Sequence, residues 1–286
     1  MGKIAAIWQM VKLSRAPNLL IIVFTQYMVA IFLISGTKDW MSIVFDGHFF
    51  IVVFSTVVIA AAGYFINDYY DIKIDLINKP DKVIVGNKLQ RRTVMLWHTC
   101  LNFAGIILGA WINIWIGMVN FIAAFSLWLY SNDLKRRPFI GNFTVALLTA
   151  LSLIIVAVYY NTHELVVYIY AFFAFGITLI REIIKDLEDI KGDSAFGAKS
   201  LPIVLGIRRA KLVIYSLLII FIISLVIFVS KESNSFLTNY FLLLLIPGLY
   251  ISYKIYLADT KKHFNVLSQH LKWIILSGIV SMLFLN

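Results

Sequence analysis

The chain has few charged residues and almost no cysteine for its length. Of 286 residues, 14% are charged and 61% are hydrophobic, and Cys100 is the one cysteine. Because about a quarter of the residues of a soluble domain are charged, this composition excludes an ordinary water-soluble domain. A single cysteine excludes an internal disulfide and a thiolate metal site. The five histidines lack the spacing of metal ligands, and we assign none of them a catalytic role.

Long apolar runs recur along the chain, many of them close to the ~20 residues that cross a bilayer as a helix. We therefore predict an all-α polytopic membrane protein, a single domain over residues 1–286. The nine predicted transmembrane helices are 16–35, 49–70, 93–111, 113–130, 140–160, 164–185, 211–230, 236–257 and 269–285. Residues Met1–Ser14 lack the apolar region of a cleavable signal peptide. That segment is either an interfacial amphipathic helix or an extension of the first span.

Lysine and arginine sort to one side of these spans. The N-terminus and the loops after the second, fourth, sixth and eighth spans, with the adjoining span ends, hold 23 of the 25, and Lys38 and Lys231 are the exceptions. The positive-inside rule then places the N-terminus in the cytoplasm and the C-terminus outside. This distribution explains the net charge of +10 without a nucleic-acid partner. We expect an integral protein of a prokaryotic inner (cell) membrane.

Acidic residues are concentrated at the ends of the second and sixth spans. Of fifteen acidic residues, four lie between Asp68 and Asp81 and five between Glu182 and Asp193. Carboxylates are costly inside a bilayer, so such clusters predict a functional site. Both clusters fall on the cytoplasmic side by the charge rule. The alternative is that each is only a solvated, negatively charged helix end.

Helical geometry places the acidic residues of each cluster on one face. At about 100° per residue, Asn67, Asp71 and Asp75 step around the helix by about 40° each, and Asp68 falls close to Asp75. In the second cluster one arc of about 60° holds Glu182, Asp186, Asp189 and Asp193, whereas Glu188 points away. Two negatively charged faces packed together would repel each other, and a bound cation would resolve this repulsion. Oxygen ligands favour magnesium or calcium over zinc or copper.

Magnesium in proteins commonly bridges one or two carboxylates and the oxygens of a phosphate-bearing substrate. Basic residues on the same side could pair with such a substrate or with lipid headgroups, namely Arg15, Lys73, Lys82, Lys135, Arg136, Lys185 and Lys199. The two clusters lie four helices apart. A weak similarity between residues 15–18 and 137–142 also suggests two four-helix halves plus a ninth helix. Such repeats would place the clusters face to face across a central cavity.

The order of these motifs resembles the UbiA superfamily of intramembrane prenyltransferases. The resemblance rests on Asn67-Asp68-x-x-Asp71-x-x-x-Asp75 and on Asp189-x-x-x-Asp193. It also rests on four shorter pieces, Arg15-x-Pro17-Asn18, Tyr130 to Lys135, Gly141-Asn142, and Lys199-Ser200-Leu201-Pro202 followed by Gly206. It covers nearly the whole chain. The chain departs from the superfamily at Lys82, where many members have an arginine that can bind a phosphate through two nitrogens.

The resemblance implies a central cavity open to lipid and electrophilic transfer of a prenyl group from a prenyl diphosphate to a lipophilic acceptor. It implies two Mg²⁺ ions held by Asn67, Asp71, Asp189 and Asp193. It implies a catalytic set of Asp68, Asp75, Asp186 and Lys185, and a diphosphate-binding set of Arg15, Asn18, Lys82, Tyr130, Lys135 and Lys199. Aromatic faces can stabilise an allylic cation, and the candidates are Tyr64, Tyr69, Tyr70, Tyr130 and Phe125.

The acceptor stays open at this point. The loop motifs look most like the branch that prenylates geranylgeranylglyceryl phosphate, and a phosphate on the acceptor would use the excess of basic residues. An aromatic quinone precursor of the 4-hydroxybenzoate, naphthoate or homogentisate type is the alternative. A different class of function is an ion or lipid carrier, which also places polar groups among membrane helices. The span interiors are almost free of ionisable residues apart from His98, which argues against that class.

Overall fold

A computed structural model describes residues 3–36, 40–78, 80–231 and 245–284, and these residues are helical without a named β-strand. The helices are α1 Lys3–Leu13, α2 Ala16–Met28, α3 Trp40–Val44, α4 Gly47–Asn78, α5 Arg91–Ile112, α6 Ile114–Asn132, α7 Ile140–Tyr160, α8 Leu165–Ala195, α9 Leu201–Leu205, α10 Ile207–Lys231, α11 Leu245–Leu257 and α12 Lys261–Ser281. A π-helical segment, Val29–Ile34, continues α2.

Eight helices in the described residues are long and apolar enough to cross a membrane. They correspond to the first seven predicted spans and to the ninth, so the prediction of an all-α polytopic membrane fold is confirmed. The eighth predicted span, 236–257, is described only from Leu245 onward, as α11, and its residues 236–244 lie outside the described residues.

The helices that carry the two acidic clusters are the longest in the fold. α4 has 32 residues and α8 has 31, which is about 45–50 Å of helix at 1.5 Å per residue. Both continue about two to three turns beyond the predicted ends of their spans, at residues 70 and 185. The prediction followed the apolar run, whereas the helices continue through the polar residues. Each acidic cluster is therefore held on regular helix.

The fold is organised around these two helices. α4 packs against α2, α5 and α6, α8 packs against α7, α10 and α12, and α4 and α8 contact each other. α12 also contacts α2, so the two groups meet on that side as well. The first group corresponds to the first predicted four-helix half. The second group contains the fifth, sixth, seventh and ninth predicted spans, and the eighth is described only in part.

Small and amide residues allow close packing within the first half. Asn120 on α6 is buried and donates to the Ser55 hydroxyl of α4 and to the Gly105 carbonyl of α5, each at 3.0 Å. A Cβ at Gly109 would lie 2.5 Å from the Asn120 amide nitrogen, so a side chain there would displace the asparagine. Polar bridges and small residues of this kind hold membrane helices together, because burial in lipid gives little hydrophobic driving force.

Candidate active site

A cavity of about 510 Å³ lies where α4, α8 and α12 meet the loop after α6. Eight carboxylates line it, from Asp68, Asp71, Asp75, Glu182, Asp186, Glu188, Asp189 and Asp193. Six basic side chains line it as well, from Lys12, Arg15, Lys135, Arg136, Arg181 and Lys185. The carboxylates exceed the cations by two, so the cavity has a formal excess of negative charge that suits a bound cation.

The α4 wall of the cavity is formed by Asn67, Asp68, Asp71 and Asp75. Two of these carboxylates have basic partners from other elements. The guanidinium of Arg15 donates to Asp68 Oδ1 at 2.8 Å, and the ammonium group of Lys135, in the turn after α6, contacts Asp71 Oδ1. Since a charge in a low-dielectric site needs an opposite charge or a hydrogen bond, these pairs compensate the two carboxylates.

Arg15 is oriented by the start of α2. The residue has a positive φ of 53° immediately before the helix, and its guanidinium lies over the Tyr64 ring at 4.9 Å from the centroid. Partial burial acts to lower the pKa of Arg15, but the neighbouring Asp68 and Tyr64 outweigh it, so the pKa is raised and the side chain stays charged. Arg15 therefore joins α2 to the acidic face of α4.

The α8 wall carries Glu182, Asp186, Asp189 and Asp193. Asn142 of α7 donates to Asp186 Oδ2 at 2.9 Å. Glu182 is buried and accepts from the ammonium group of Lys185 at 2.8 Å and from Arg181 at 3.2 Å. Two cations thus contact the carboxylate of Glu182.

Glu188 differs from its prediction. We expected it to point away from the cavity, and this is wrong, because Glu188 is among the lining residues. α12 passes on that side of α8, and Asn265 of α12 donates to Glu188 Oε1 at 2.9 Å. The prediction treated α8 as an isolated helix and did not include this neighbour.

The lining of the cavity by α12 was not predicted from the sequence. Asn265, Ser268 and Gln269 line the cavity, Ser268 accepts from Arg181 Nε at 3.3 Å, and Lys272 donates to Asn18 Oδ1 at 3.3 Å. Asn265, Ser268, Gln269 and Lys272 recur at helical spacing, which is a signal that the sequence contains. The predicted ninth span began at residue 269, about two turns after the start of α12, so part of this stripe was excluded from it.

Three residues of the predicted diphosphate-binding set are not among the lining residues. Asn18 lies next to the cavity and donates to the Tyr64 hydroxyl at 3.3 Å. Lys199 is exposed, and its backbone N–H donates to the Arg136 carbonyl at 2.8 Å. The side chain of Lys82 lies outside the described residues, although its backbone belongs to the 3-10 turn Pro80–Lys82.

The aromatic candidates are divided between the cavity and the surface. Tyr130 lines the cavity, and Tyr64 lies beneath Arg15. The guanidinium carbon of Arg91 lies 4.6 Å from the centroid of the Tyr69 ring, and Tyr69 contacts Tyr70 edge to face. Phe125 is 52% exposed and packs against Trp128. Only Tyr130 of the five is a lining residue of the described cavity.

The ligand chemistry of the cavity fits a hard divalent cation. As the side chains stand, no three His, Cys, Asp or Glu residues within 3–36, 40–78, 80–231 and 245–284 converge closely enough to hold an ion. The candidate ligands Asn67, Asp71, Asp189 and Asp193 nevertheless present oxygen atoms from two helices to one cavity. Oxygen ligands and an excess of negative charge are the features that magnesium prefers.

Comparisons with known proteins agree with this architecture. The profile of the UbiA prenyltransferase family matches residues 22–274. The digeranylgeranylglyceryl phosphate synthase of Methanosphaera stadtmanae is 36% identical over 224 residues, which cover 77% of this chain and 81% of the relative. The enzyme of the same name from Sulfurisphaera tokodaii is 30% identical over 223 residues, 77% of each chain.

Solved structures show the same fold. A structure described as a digeranylgeranylglyceryl phosphate synthase superposes with a TM-score of 0.71 and 25% identity, over 96% of this chain and 98% of that one. A UbiA homologue from Archaeoglobus fulgidus, bound to GPP and Mg²⁺, gives a TM-score of 0.69 at 16% identity, over 96% of this chain and 99% of that one.

Proposed function

The chain belongs to the UbiA prenyltransferase family and is an integral membrane prenyltransferase, and from this premise we propose that it transfers a prenyl group from a prenyl diphosphate to geranylgeranylglyceryl phosphate. The observation that carries the proposal is a single cavity with two facing acidic helices and six basic side chains. The names of the similar enzymes support the glycerophosphate acceptor. We place the cavity on the cytoplasmic side of a prokaryotic cell membrane.

We assign the donor diphosphate to the region between α4 and α8. Asn67, Asp71, Asp189 and Asp193 would hold Mg²⁺, two ions in our proposal, as the A. fulgidus homologue binds Mg²⁺ together with GPP. When bound, the metal neutralises negative charge on the leaving diphosphate. Arg15 and Lys135 face the same region through their contacts with Asp68 and Asp71. With a metal held by Asp71, the ammonium group of Lys135 would be free to pair with a phosphate oxygen.

The proposed reaction breaks the bond between C1 of the prenyl chain and the diphosphate oxygen, and forms a bond from C1 to the acceptor hydroxyl oxygen. The hydroxyl proton passes to a cavity carboxylate or to the leaving diphosphate. Tyr130 lines the cavity, and its aromatic ring would stabilise the cationic carbon. The apolar helices around the prenyl chain exclude water, which would otherwise capture the cation.

A phosphate on the acceptor fits the cations of α8. Arg181 and Lys185 both contact the carboxylate of Glu182, and both side chains line the cavity, where they can face an anion. Arg181 is eight residues and Lys185 four residues before Asp189, about 12 Å and about 6 Å along the helix, so the group lies on the side of the proposed metal ligands towards the start of α8. A guanidinium and an ammonium group together are well suited to bind a phosphate. We therefore assign the acceptor phosphate to Arg181 and Lys185.

The test is transfer by the purified protein in lipid, with geranylgeranyl diphosphate and Mg²⁺. Three acceptors are compared, geranylgeranylglyceryl phosphate, 4-hydroxybenzoate and dihydroxynaphthoate, and both the prenylated product and free diphosphate are measured. We expect product with the glycerophosphate alone and none after chelation of the metal.

The other outcomes separate the alternatives. Product with an aromatic acceptor would replace the proposed acceptor and keep the enzyme class. Release of diphosphate without any product would mean that the acceptor is wrong. Transport of an ion or lipid by reconstituted protein, without any loss of diphosphate, would favour a carrier and overturn the proposed function.

A further inference from the structure

One buried amide joins the two acidic helices next to their carboxylates. Asn78 is the last residue of α4 and is 9% exposed. Its Nδ2 donates to the backbone carbonyl of Asp189 at 3.3 Å, and its Oδ1 accepts from the backbone N–H of Gly192 at 3.0 Å. Both partners belong to the segment of α8 that carries Asp189 and Asp193. The end of α4 is therefore attached directly to the backbone that presents the proposed α8 ligands.

The contact requires a glycine on α8. A Cβ built at Gly192 would lie 2.4 Å from Asn78 Nδ2 and 2.5 Å from its Oδ1, well inside van der Waals contact. A side chain at position 192 would therefore expel the amide of Asn78 from its place. Asn78 and Gly192 form an interlocked pair, in which the missing side chain of one makes room for the side chain of the other.

A third helix is attached at the same point. Lys261, the first residue of α12, donates from its ammonium group to the backbone carbonyl of Asn78 at 2.9 Å. The carbonyl at a helix C-terminus carries partial negative charge, so a lysine there is favourable. Asn78 thus connects α4, α8 and α12 at the edge of the cavity that it also lines.

We propose that Asn78 is a positioning residue, which sets the separation between the carboxylates of α4 and those of α8 and so determines the affinity for the divalent metal and diphosphate. Asp71 lies two turns before Asn78 on α4, and the backbone carbonyl of Asp189 on α8 accepts a hydrogen bond from Asn78. The positions of both sides of the proposed metal site therefore depend on one side chain. This inference rests on the proposed function, because it assumes that the two helices bind metal together. Residues that orient metal ligands typically change metal affinity 10–100-fold when they are removed.

The fold supplies a matched control. Asn120 and Gly109 form the same kind of interlocked pair between α6 and α5, since a Cβ built at Gly109 would lie 2.5 Å from the amide nitrogen of Asn120. Asn120 is also buried and also bridges helices, but neither residue lines the cavity. Loss of either pair should lower stability, whereas only the Asn78 pair should change metal binding.

The experiment compares Asn78→Ala and Gly192→Ala with Asn120→Ala and Gly109→Ala. Mn²⁺ affinity is measured by electron paramagnetic resonance in the presence of geranylgeranyl thiolodiphosphate, which reacts poorly. Thermal unfolding and the Mg²⁺ concentration for half-maximal transfer are measured in parallel. We expect both cavity variants to bind Mn²⁺ at least about tenfold more weakly, and both control variants to lose stability with unchanged Mn²⁺ affinity.

The double variant Asn78→Ala/Gly192→Ala tests the interlock itself. Once the amide is gone, an alanine at position 192 has room, so the second substitution should add little to the first, and this non-additivity is the sign of direct contact. The proposal would be overturned if Asn78→Ala kept wild-type Mn²⁺ affinity, or if Asn78→Ala and Asn120→Ala changed Mn²⁺ affinity and thermal stability to the same extent. If wild-type protein binds no Mn²⁺ with the diphosphate analogue, it is the proposed function that fails.

Discussion

At the scale of single residues, the cavity contains ion pairs whose partners a bound metal and a phosphate would replace. Asp68 is paired with Arg15 and Asp71 with Lys135, each across two separate elements. A divalent ion at Asp71 would compete directly with the Lys135 ammonium group. The same lysine would then face the phosphate oxygens that accompany the metal. The pairing therefore keeps the carboxylates compensated before binding and supplies a cation to the substrate after binding.

Asp71→Asn and Asp189→Asn should each reduce prenyl transfer by about 10²-fold or more, because each substitution removes a charged oxygen ligand whose loss costs several kcal/mol of transition-state stabilisation. Product formation at saturating donor and Mg²⁺ measures this. The control is Asp133→Asn, since Asp133 pairs with Arg137 at the surface and is not a lining residue. Equal activity of Asp71→Asn and Asp133→Asn would contradict the assignment.

Arg181→Gln should raise the KM for geranylgeranylglyceryl phosphate by about tenfold or more and leave the KM for the prenyl diphosphate unchanged. The expected size follows from one hydrogen bond to a charged group, about 1.5–3 kcal/mol. Glu182 would keep Lys185 as its partner, so the fold should persist. Arg208→Gln, an exposed basic residue at the start of α10, is the control. A rise of both KM values by the same factor would mean that Arg181 maintains the structure of the cavity and does not bind the acceptor phosphate.

At the scale of the helices, close approach depends on residues without side chains. A Cβ at Gly117 on α6 would lie 2.6 Å from the Cβ and 2.8 Å from the Cα of Ala110 on α5. Because one of these atoms is backbone, rotation of a side chain cannot relieve the contact. The two helices would have to separate at this point.

Gly117→Ala should therefore destabilise the protein by about 1–3 kcal/mol, the usual cost of overpacking. Gly278→Ala on α12 is the matched control, since nothing lies within 4 Å of its Cβ position. That substitution should be neutral or stabilising by up to about 1 kcal/mol, as alanine favours a helix over glycine. Thermal unfolding in detergent measures both. A lower melting temperature for Gly278→Ala than for Gly117→Ala would contradict the packing argument.

The helices that carry the acidic clusters could be predicted from the sequence, and the residues that support them could not. Carboxylates at helical spacing on an apolar run are visible without a structure, and Asp71 and Asp189 were found in this way. Nothing in the local pattern around Asn78 or Arg181 shows which groups these side chains contact. Asn142 was noted only within the Gly141-Asn142 motif, and its contact with Asp186 was not predicted. Only the packing of α4, α7, α8 and α12 brings their partners within hydrogen-bonding distance.

At the scale of the whole molecule, the family, the all-helical membrane fold and the enzyme class could be predicted because the signals extend along the chain. The apolar spans, the distribution of basic residues and the order of the motifs each involve many residues, so an error at one position changes little. The exact ends of the helices depend on a few residues and were less accurate, as for α8, which continues to Ala195 rather than to residue 185. Local chemistry depends on tertiary contacts that no single segment encodes.

The proposed orientation can be tested along one helix. α8 begins after the exposed Glu164 and contains the exposed Ser194 near its other end, so these residues are separated by about 45 Å of helix, more than the ~30 Å of a bilayer core. In a Cys100→Ser background, Glu164→Cys and Ser194→Cys each provide a single thiol. In right-side-out vesicles, a membrane-impermeant maleimide should label position 164 and leave position 194 unlabelled until the vesicles are permeabilised. The reverse pattern would place the acidic cavity outside the cell and contradict the cytoplasmic site. Retained prenyl transfer in both variants is the control that the labelled protein is folded.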